Sequence, residues 1–215
     1  FDTPAFNELD NYPFSSDENR GALNPDLNAQ NSLNFEIGTK ANLLNSGSKW
    51  FKNNYIELVF YRLQIEDEIV PFIVSNTAYF RNAAKSNRNG IEFGLTTNIV
   101  GGLKWKTAYN FSDFKYDEYN AIIYDINGNI VTKNYSGNIA PSVPKHYLSS
   151  DLIYNYDFTR SVSAFAKFNY TYVDGMYTDD ENSARTGAYI LLNSGLGMEV
   201  NIANFSIIAN AGLGN

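Results

Sequence analysis

In Leu103-Lys104-Trp105-Lys106-Thr107-Ala108-Tyr109-Asn110-Phe111-Ser112, the residues Leu103, Trp105, Thr107, Tyr109 and Phe111 share one parity, and Lys104, Lys106, Ala108, Asn110 and Ser112 share the other. Successive side chains of an extended chain point to opposite faces, so this period of two predicts a strand with one apolar and one polar face. The alternation runs for about ten residues, whereas strands of soluble proteins average about 5–6. The same pattern recurs on both sides. Upstream, Ile91, Phe93 and Leu95 alternate with Glu92, Gly94 and Thr96, and Leu33, Phe35 and Ile37 alternate with Asn34, Glu36 and Gly38. Downstream, Leu148, Leu152, Tyr154 and Tyr156 make one face, and Val162, Ala164, Ala166, Phe168, Tyr170 and Tyr172 the next. Ile190, Leu192, Leu196, Met198 and Val200 follow, and Phe205, Ile207, Ala209, Ala211 and Leu213 come last. The block Tyr55 to Val70 is extended as well, but its apolar residues change parity, which predicts a β-bulge near Phe60.

The pattern predicts about eight long strands whose connections alternate in length. The connections 44–49, 99–102, 157–161 and 201–204 are short; 117–145 and 174–187 are long and polar, with a moderate one near 70–79. Short turns at one end and long loops at the other are the asymmetry of outer-membrane barrels. Alternation alone fits a soluble sandwich equally well; strand length and loop asymmetry favour the membrane. The expected fold is therefore all-β, an antiparallel transmembrane β-barrel. Leu152 and Phe168 should face lipid, and Glu36, Glu92, Lys104, Lys106 and Lys167 should face the lumen. Tyr109, Phe111, Tyr170 and Tyr172 lie toward the long loops, and Trp50, Phe51, Tyr154, Tyr156 and Phe205 toward the short turns, as two interfacial girdles would require.

Composition agrees. Of 215 residues, 15% are aromatic and only 18% are charged, with a net charge of −7. An acidic chain has little with which to contact nucleic-acid phosphates. There is no Cys and a single His, His146, which removes disulfides, thiol chemistry and Cys/His metal sites. No apolar window of about 18 residues encodes a membrane helix, but a barrel strand needs only about 9–11 residues with alternate ones apolar. Phe1-Asp2-Thr3-Pro4 lacks the basic and apolar regions of a signal peptide, so a leader has been removed or the sequence starts inside a longer protein.

Four stretches carry a family resemblance. Asn24-Pro25-Asp26-Leu27 is followed by Ser32-Leu33-Asn34-Phe35-Glu36-Ile37-Gly38; Asp67-Glu68-Ile69-Val70-Pro71-Phe72 closes a long strand. Tyr79-Phe80-Arg81-Asn82-Ala83-Ala84-Lys85-Ser86 runs on to Arg88-Asn89-Gly90-Ile91-Glu92, and Pro141-Ser142-Val143-Pro144-Lys145-His146 leads into a strand. In this order they resemble the C-terminal barrel of TonB-dependent receptors, and Thr3 to Leu9 is similar to the family's segment before the first of them. Asn28-Ala29-Gln30 departs from the family's Pro-Glu, and Ala84 stands where Gly is common. The resemblance implies a barrel of about 22 strands with an N-terminal plug. On that reading residues 1–215 are a fragment of the barrel domain, an incomplete arc of about eight strands without plug, early strands or final strand.

Other features have plain readings. Asp125-Ile126-Asn127-Gly128-Asn129 lacks the twelfth-position Glu of a calcium loop, and Asn-Gly between Tyr124 and Ile130 reads as a hairpin turn within an external loop. Asp179-Asp180-Glu181 reads as a solvated charge cluster rather than a cation site. The pairs Glu36 with Glu92 and Asp151 with Glu199 read as lumen charges, His146 as positional, and the Asn-x-Ser/Thr triplets as chance.

No nucleophile–base or metal constellation is visible, so an enzyme is not expected, nor are a cofactor or a metal. The resemblance implies an outer-membrane receptor that takes up a scarce ligand (a ferric siderophore, haem, cobalamin or a glycan) with energy from a TonB-type coupling protein reached through an N-terminal part. Lipid bilayer and a small-molecule or metal-chelate ligand are the expected partners, nucleic acid is not. Tyr119, Tyr124, Asp174 and Tyr177, in the loops 117–145 and 174–187, are the candidate ligand contacts. A small porin-like or anchor barrel closed by the same strands, and a soluble ligand-binding barrel, are the alternatives. No pattern singles out one ligand.

Overall fold

A computed structural model describes residues 3–5, 9, 27–43, 50–74, 77–99, 101–124 and 130–215. Among the described residues the strands are β1 (Asn31–Leu43), β2 (Phe51–Val74), β3 (Thr77–Ile99), β4 (Leu103–Tyr124), β5 (Ile130–Asn134), β6 (His146–Asp157), β7 (Val162–Val173), β8 (Tyr189–Ile202) and β9 (Phe205–Gly214). They form one antiparallel sheet in the order β1-β2-β3-β4-β6-β7-β8-β9, with β5 added to β4. Among the described residues β1 pairs only with β2 and β9 only with β8, so the sheet is an open arc. A barrel closed by these strands alone would need β1 hydrogen-bonded to β9; the small-barrel alternative falls on that point.

The register sorts the side chains as the alternation predicts. Phe60, Ile91, Phe111 and His146 share a rung and a face, as do Trp105, Leu152, Phe168 and Ser194. This apolar face has little over it: Leu33 is 69% exposed, Phe35 68% and Leu196 67%. An uncovered apolar face on long strands is what a lipid-facing wall presents. A polar group on it is satisfied within it: the Trp105 indole donates to Ser150 Oγ at 2.9 Å. A dry hydrocarbon medium requires such internal pairing.

Two sequence expectations need correction. The β1–β2 register runs unbroken from Leu43↔Asn54 to Asn31↔Glu66, so there is no bulge at Phe60. The irregularities in β2 lie between Lys52 and Tyr55 and between Ile65 and Ile69, near Asn53 and Asp67 with φ of 51° and 55°. Tyr61, Leu63 and Ile65 are simply apolar residues on the polar face, where side chains pack on one another. The Tyr61 ring lies over Gly90, at which any Cβ would overlap it, and Arg88 stands 5.7 Å from the ring centroid.

The second correction concerns the long side. Residues 70–74 and 77–81 are not loop: β2 and β3 continue as one hairpin, with Val74 opposite Thr77. Likewise 117–124 belongs to β4, and β5 folds back on it with Tyr124 opposite Ile130. The expected Asn127-Gly128 turn lies outside the described residues, between those paired arms. A membrane strand needs only about 9–11 residues. The upper parts of β2, β3 and β4 therefore stand clear of the hydrocarbon. The β4 edge stays hydrogen-bonded throughout: β6 takes 103–111, β5 takes 120–124, and the segment between accepts or donates to Asn138, Ala140 and Lys145.

Candidate functional site

The polar face of the wall holds all the charges assigned to it. Glu36 faces Tyr61, Glu92 lies between Val59 and Asn110, Lys104 lies between Asn98 and Ile153, Lys106 lies between Thr96 and Asp151, and Lys167 lies between Ile153 and Gly195. They sit in a connected polar lining. Asn169 donates to Asp151 at 2.9 Å and accepts from Thr171 and Asn193 at 3.2 Å, and Asn110 donates to Glu92 at 3.3 Å. Small residues leave a hollow of about 350 Å³ along Glu57, Glu92, Gly94, Ala108, Asn110 and Tyr147.

Above this lining the two long loops fold onto each other. An extra residue, Asp117, enters β4 between Tyr116, paired with Ser86, and Glu118, paired with Lys85. The shift moves the inward parity from Ser112, Phe114 and Tyr116 to Tyr119, Ala121 and Ile123. Tyr116, Tyr119 and Tyr135 thereby meet in one cluster with Val70, Ala84, Ala121 and Ala140. Ring centroids of Tyr116 and Tyr119 are 4.7 Å apart, and those of Tyr119 and Tyr135 5.4 Å.

The loop 174–188 closes over this cluster. Tyr116 OH donates to Asp180 Oδ1 at 2.8 Å and Tyr119 OH to Asp180 Oδ2 at 3.4 Å. Asn138 donates to the Asp180 carbonyl at 2.8 Å. Asn182 pairs with Ile139 in both directions, accepting from its N–H at 2.9 Å and donating to its carbonyl at 2.8 Å. Burial and the Asp180 carboxylate hold both phenols in the neutral, donating form: Tyr119 is pushed up to about 12 and Tyr116 is also raised. Asp179 caps its own turn, accepting from the N–H groups of Ser183 and Ala184 at 2.9 and 3.0 Å, and Glu181 pairs with Lys133 at 2.7 Å.

Among the sequence candidates, Tyr119 is 2% exposed and forms the floor under Asp180. Asp174 and Tyr177 stand at the loop's base: Arg185 donates to Asp174 at 3.3 Å and lies 5.8 Å over the Tyr177 ring. Tyr124 ends β4; its side chain lies outside the described residues. The acidic run Asp179-Asp180-Glu181 is not merely solvated, since each carboxylate has its own partner, and among the described residues no acidic cluster could hold a metal ion. Tyr116, Tyr135 and Asn182 went unseen in the sequence, and Asp180 was read there only as part of a charge cluster: the bulge that turns Tyr116 and Tyr119 to one side has no sequence mark of its own, and the loop contacts are long-range.

Comparison with known proteins agrees with this geometry. The family described as TonB dependent receptor-like, beta-barrel matches residues 1–214. The ferric yersiniabactin uptake receptor FyuA from Yersinia pestis is similar at 19% identity and a TM-score of 0.58, over 86% of this chain and 29% of that one. BauA, the ferric preacinetobactin receptor from Acinetobacter baumannii, matches at 16% identity and 0.64, over 97% of this chain and 28% of that one. PiuA, a siderophore receptor from the same organism, matches at 21% and 0.63, over 88% and 25%. The chain spans well under a third of each solved receptor, and the likeness establishes the shared wall. The family match over residues 1–214 accords with the bare apolar face, the charged polar lining and the paired loops: the chain belongs to the TonB-dependent receptor family, within its outer-membrane β-barrel.

Proposed function

We propose that this wall serves a receptor that captures a ferric siderophore outside the cell and passes it inward, with energy from a TonB-type coupling protein. The observation that carries the reading is the loop pair, 135–145 with 174–188, built as one preformed platform over a polar lining. A platform already ordered loses little entropy when a ligand binds, which favours tight capture of a scarce solute. Two of the relatives named above are receptors for ferric siderophores by name and the third is a siderophore receptor, which supports this ligand class over haem, cobalamin or a glycan. Asp174 and Tyr177, with Tyr124 near the tip of the β4–β5 arm, are the assigned ligand contacts; Tyr119 acts from beneath. Glu36, Glu92, Lys104, Lys106 and Lys167 line the passage.

The test is uptake of radioactive iron by cells whose full-length receptor carries this chain, offered ferric siderophores, haem, cobalamin and oligosaccharides in turn. Uptake of one ferric siderophore, lost when 174–188 is replaced by a short turn and when the coupling protein is absent, is the expected result. Undiminished uptake after loop replacement, or uptake of another ligand class alone, overturns the reading.

A further inference from the structure

Just beneath the platform the lining carries a cation without an acidic partner. Arg88 lies on the inward parity of β3, between Leu63 and Phe114, one rung below Ser86 and Tyr116. Tyr116 belongs to the enclosed cluster, and rungs on one face are about 6.8 Å apart, so Arg88 stands at the floor of the loop platform. Its Nε donates to Ser112 Oγ at 2.7 Å, and its guanidinium carbon is 5.7 Å from the Tyr61 ring centroid. Arg88 is half-buried, and among the described residues no carboxylate pairs with it. Elsewhere on the lining Lys40 pairs with Glu57 at 2.8 Å, and Lys106 and Lys167 are open to solvent.

A cation partly withdrawn from water is costly to keep without a counter-charge. A second donor shares the defect. The Tyr61 hydroxyl lies over Gly90, the partner of Ser112, and is enclosed with no hydrogen-bond partner among the described residues. Buried hydroxyls seldom stay in that state. The geometry also narrows the anion. Ser112 takes the Nε side of the guanidinium fork, which leaves the edge formed by the two terminal nitrogens. That edge matches the two oxygens of a carboxylate, the bidentate pairing that arginine favours. Farther inward on the same face come Glu36 and Glu92, one and two rungs below Arg88. They repel an anion, so a carboxylate arriving from the loop side is held at Arg88.

We propose that Arg88, with Tyr61 beside it, binds a free carboxylate of the transported ferric chelate and selects polycarboxylate chelates over neutral ones. This rests on the reading of the chain as part of a ferric-siderophore receptor; it adds the chemical class of the ligand and the residue that reads it.

The experiment is iron uptake by cells whose full-length receptor carries this chain. They are offered radioactive ferric chelates of citrate, of a dicitryl diamine, of a neutral trihydroxamate and of a tris-catecholate. A polycarboxylate chelate should be taken up with the lowest KM. Converting a carboxylate that does not bind its metal to the methyl ester should raise KM roughly 10- to 100-fold. Arg88→Ala should raise KM by a similar factor with the maximal rate unchanged at equal surface abundance. The two losses should not add, because both remove the same contact. Arg88→Lys, which keeps the charge and loses the fork, should fall between native and alanine. The ester comparison uses the native receptor, so a folding defect in a variant does not decide the outcome. Uptake of the trihydroxamate or the tris-catecholate alone would leave the receptor reading standing and overturn this inference. Additive losses, or an ester taken up as well as the free acid, would overturn it too. Uptake of none of the chelates would overturn both.

Discussion

The lower and upper halves of β4 use the same hydrogen-bond lattice in opposite ways. From Leu103 to Phe111 the apolar parity points away from the polar lining into open surroundings, as do Leu33, Phe35 and Leu196 on other strands, all more than 60% exposed. From Ser112 to Tyr124 the inward parity carries the aromatics, and Tyr116 and Tyr119 are 5% and 2% exposed. One half is stabilised by what surrounds it, the other by what it encloses. The strand passes between these regimes within a few residues, and the extra residue Asp117 re-aims its side chains. Bulges serve this purpose at the rims of barrels.

Charging the bare face should have the largest effect. In the intact barrel Leu152→Arg places a guanidinium against hydrocarbon and should cost about 2–4 kcal/mol near the midplane. Lys104→Ala, on the polar face, should cost far less. A lipid refolding titration measures both, and equal costs would contradict the assignment of the two faces.

In the enclosed half, Asp180→Ala should act next most strongly. It strands the hydroxyls of Tyr116 and Tyr119 without their acceptor, a loss of about 1–3 kcal/mol. The loss should be local: faster hydrogen exchange through 174–188, with barrel refolding unchanged. A refolding defect as large as that of Leu152→Arg would mean that the two halves are not separable.

The wall was legible in sequence because period two is imposed rung by rung, and each face of 103–112 or 162–173 declares itself in adjacent letters. The polar-face positions of Glu36, Glu92, Lys104, Lys106 and Lys167 followed from parity alone. The enclosed half was not legible. Tyr116 and Tyr119 differ in parity, and only the unpaired Asp117 brings them to one side. Asp180 lies 61 residues from Tyr119 in the chain, and no local pattern encodes a contact at that separation. The parity change in β2 was visible, but it marked side-chain packing around Tyr61 rather than a bulge.

A smaller effect tests how tightly the polar lining is packed. At Gly197 an added Cβ would overlap the Phe165 ring, whereas at Gly195 the nearest atom is 3.6 Å away, at the Ala211 carbonyl. Gly197→Ala should therefore cost about 1 kcal/mol, the low end for overpacking, because the ring can swing into the open lining. Gly195→Ala should be neutral or slightly stabilising through the unfolded chain. Equal refolding energies for the two would show that Phe165 does not rest on Gly197.

The smallest effect is a pH dependence confined to the enclosed half, and it centres on Glu68. Glu68 lies opposite Ala84, and Ala84 opposite Tyr119, so its carboxyl shares the face on which Asp180 is held. The charged group that acts on it is Asp180 from the loop, with the Ser86 hydroxyl beside it; Arg81 on β3 acts on the neighbouring Tyr119. Burial is the main cause that raises its pKa above the ordinary 4.5; the Asp180 carboxylate adds to it, and the Ser86 hydroxyl opposes it. A carboxyl whose folded pKa is raised binds its proton more tightly when folded. Its stabilising contribution is therefore complete below about pH 4.5 and is lost as pH rises through the folded value. Asp179 works the other way: the N–H groups of Ser183 and Ala184 lower its pKa from 3.8, so its turn is secure above that value and loosens as pH falls through the lowered one. The tyrosine donors do not titrate in either window. Loop 174–188 should accordingly be held most firmly near pH 4.5 and less firmly as pH rises through the raised Glu68 value. Hydrogen exchange of that segment, corrected for its intrinsic pH dependence, reads this directly. Glu68→Gln should raise protection above the pH at which Glu68 ionises and flatten the profile above pH 4.5. A variant whose profile still falls between weak acid and neutrality would place the titrating group elsewhere.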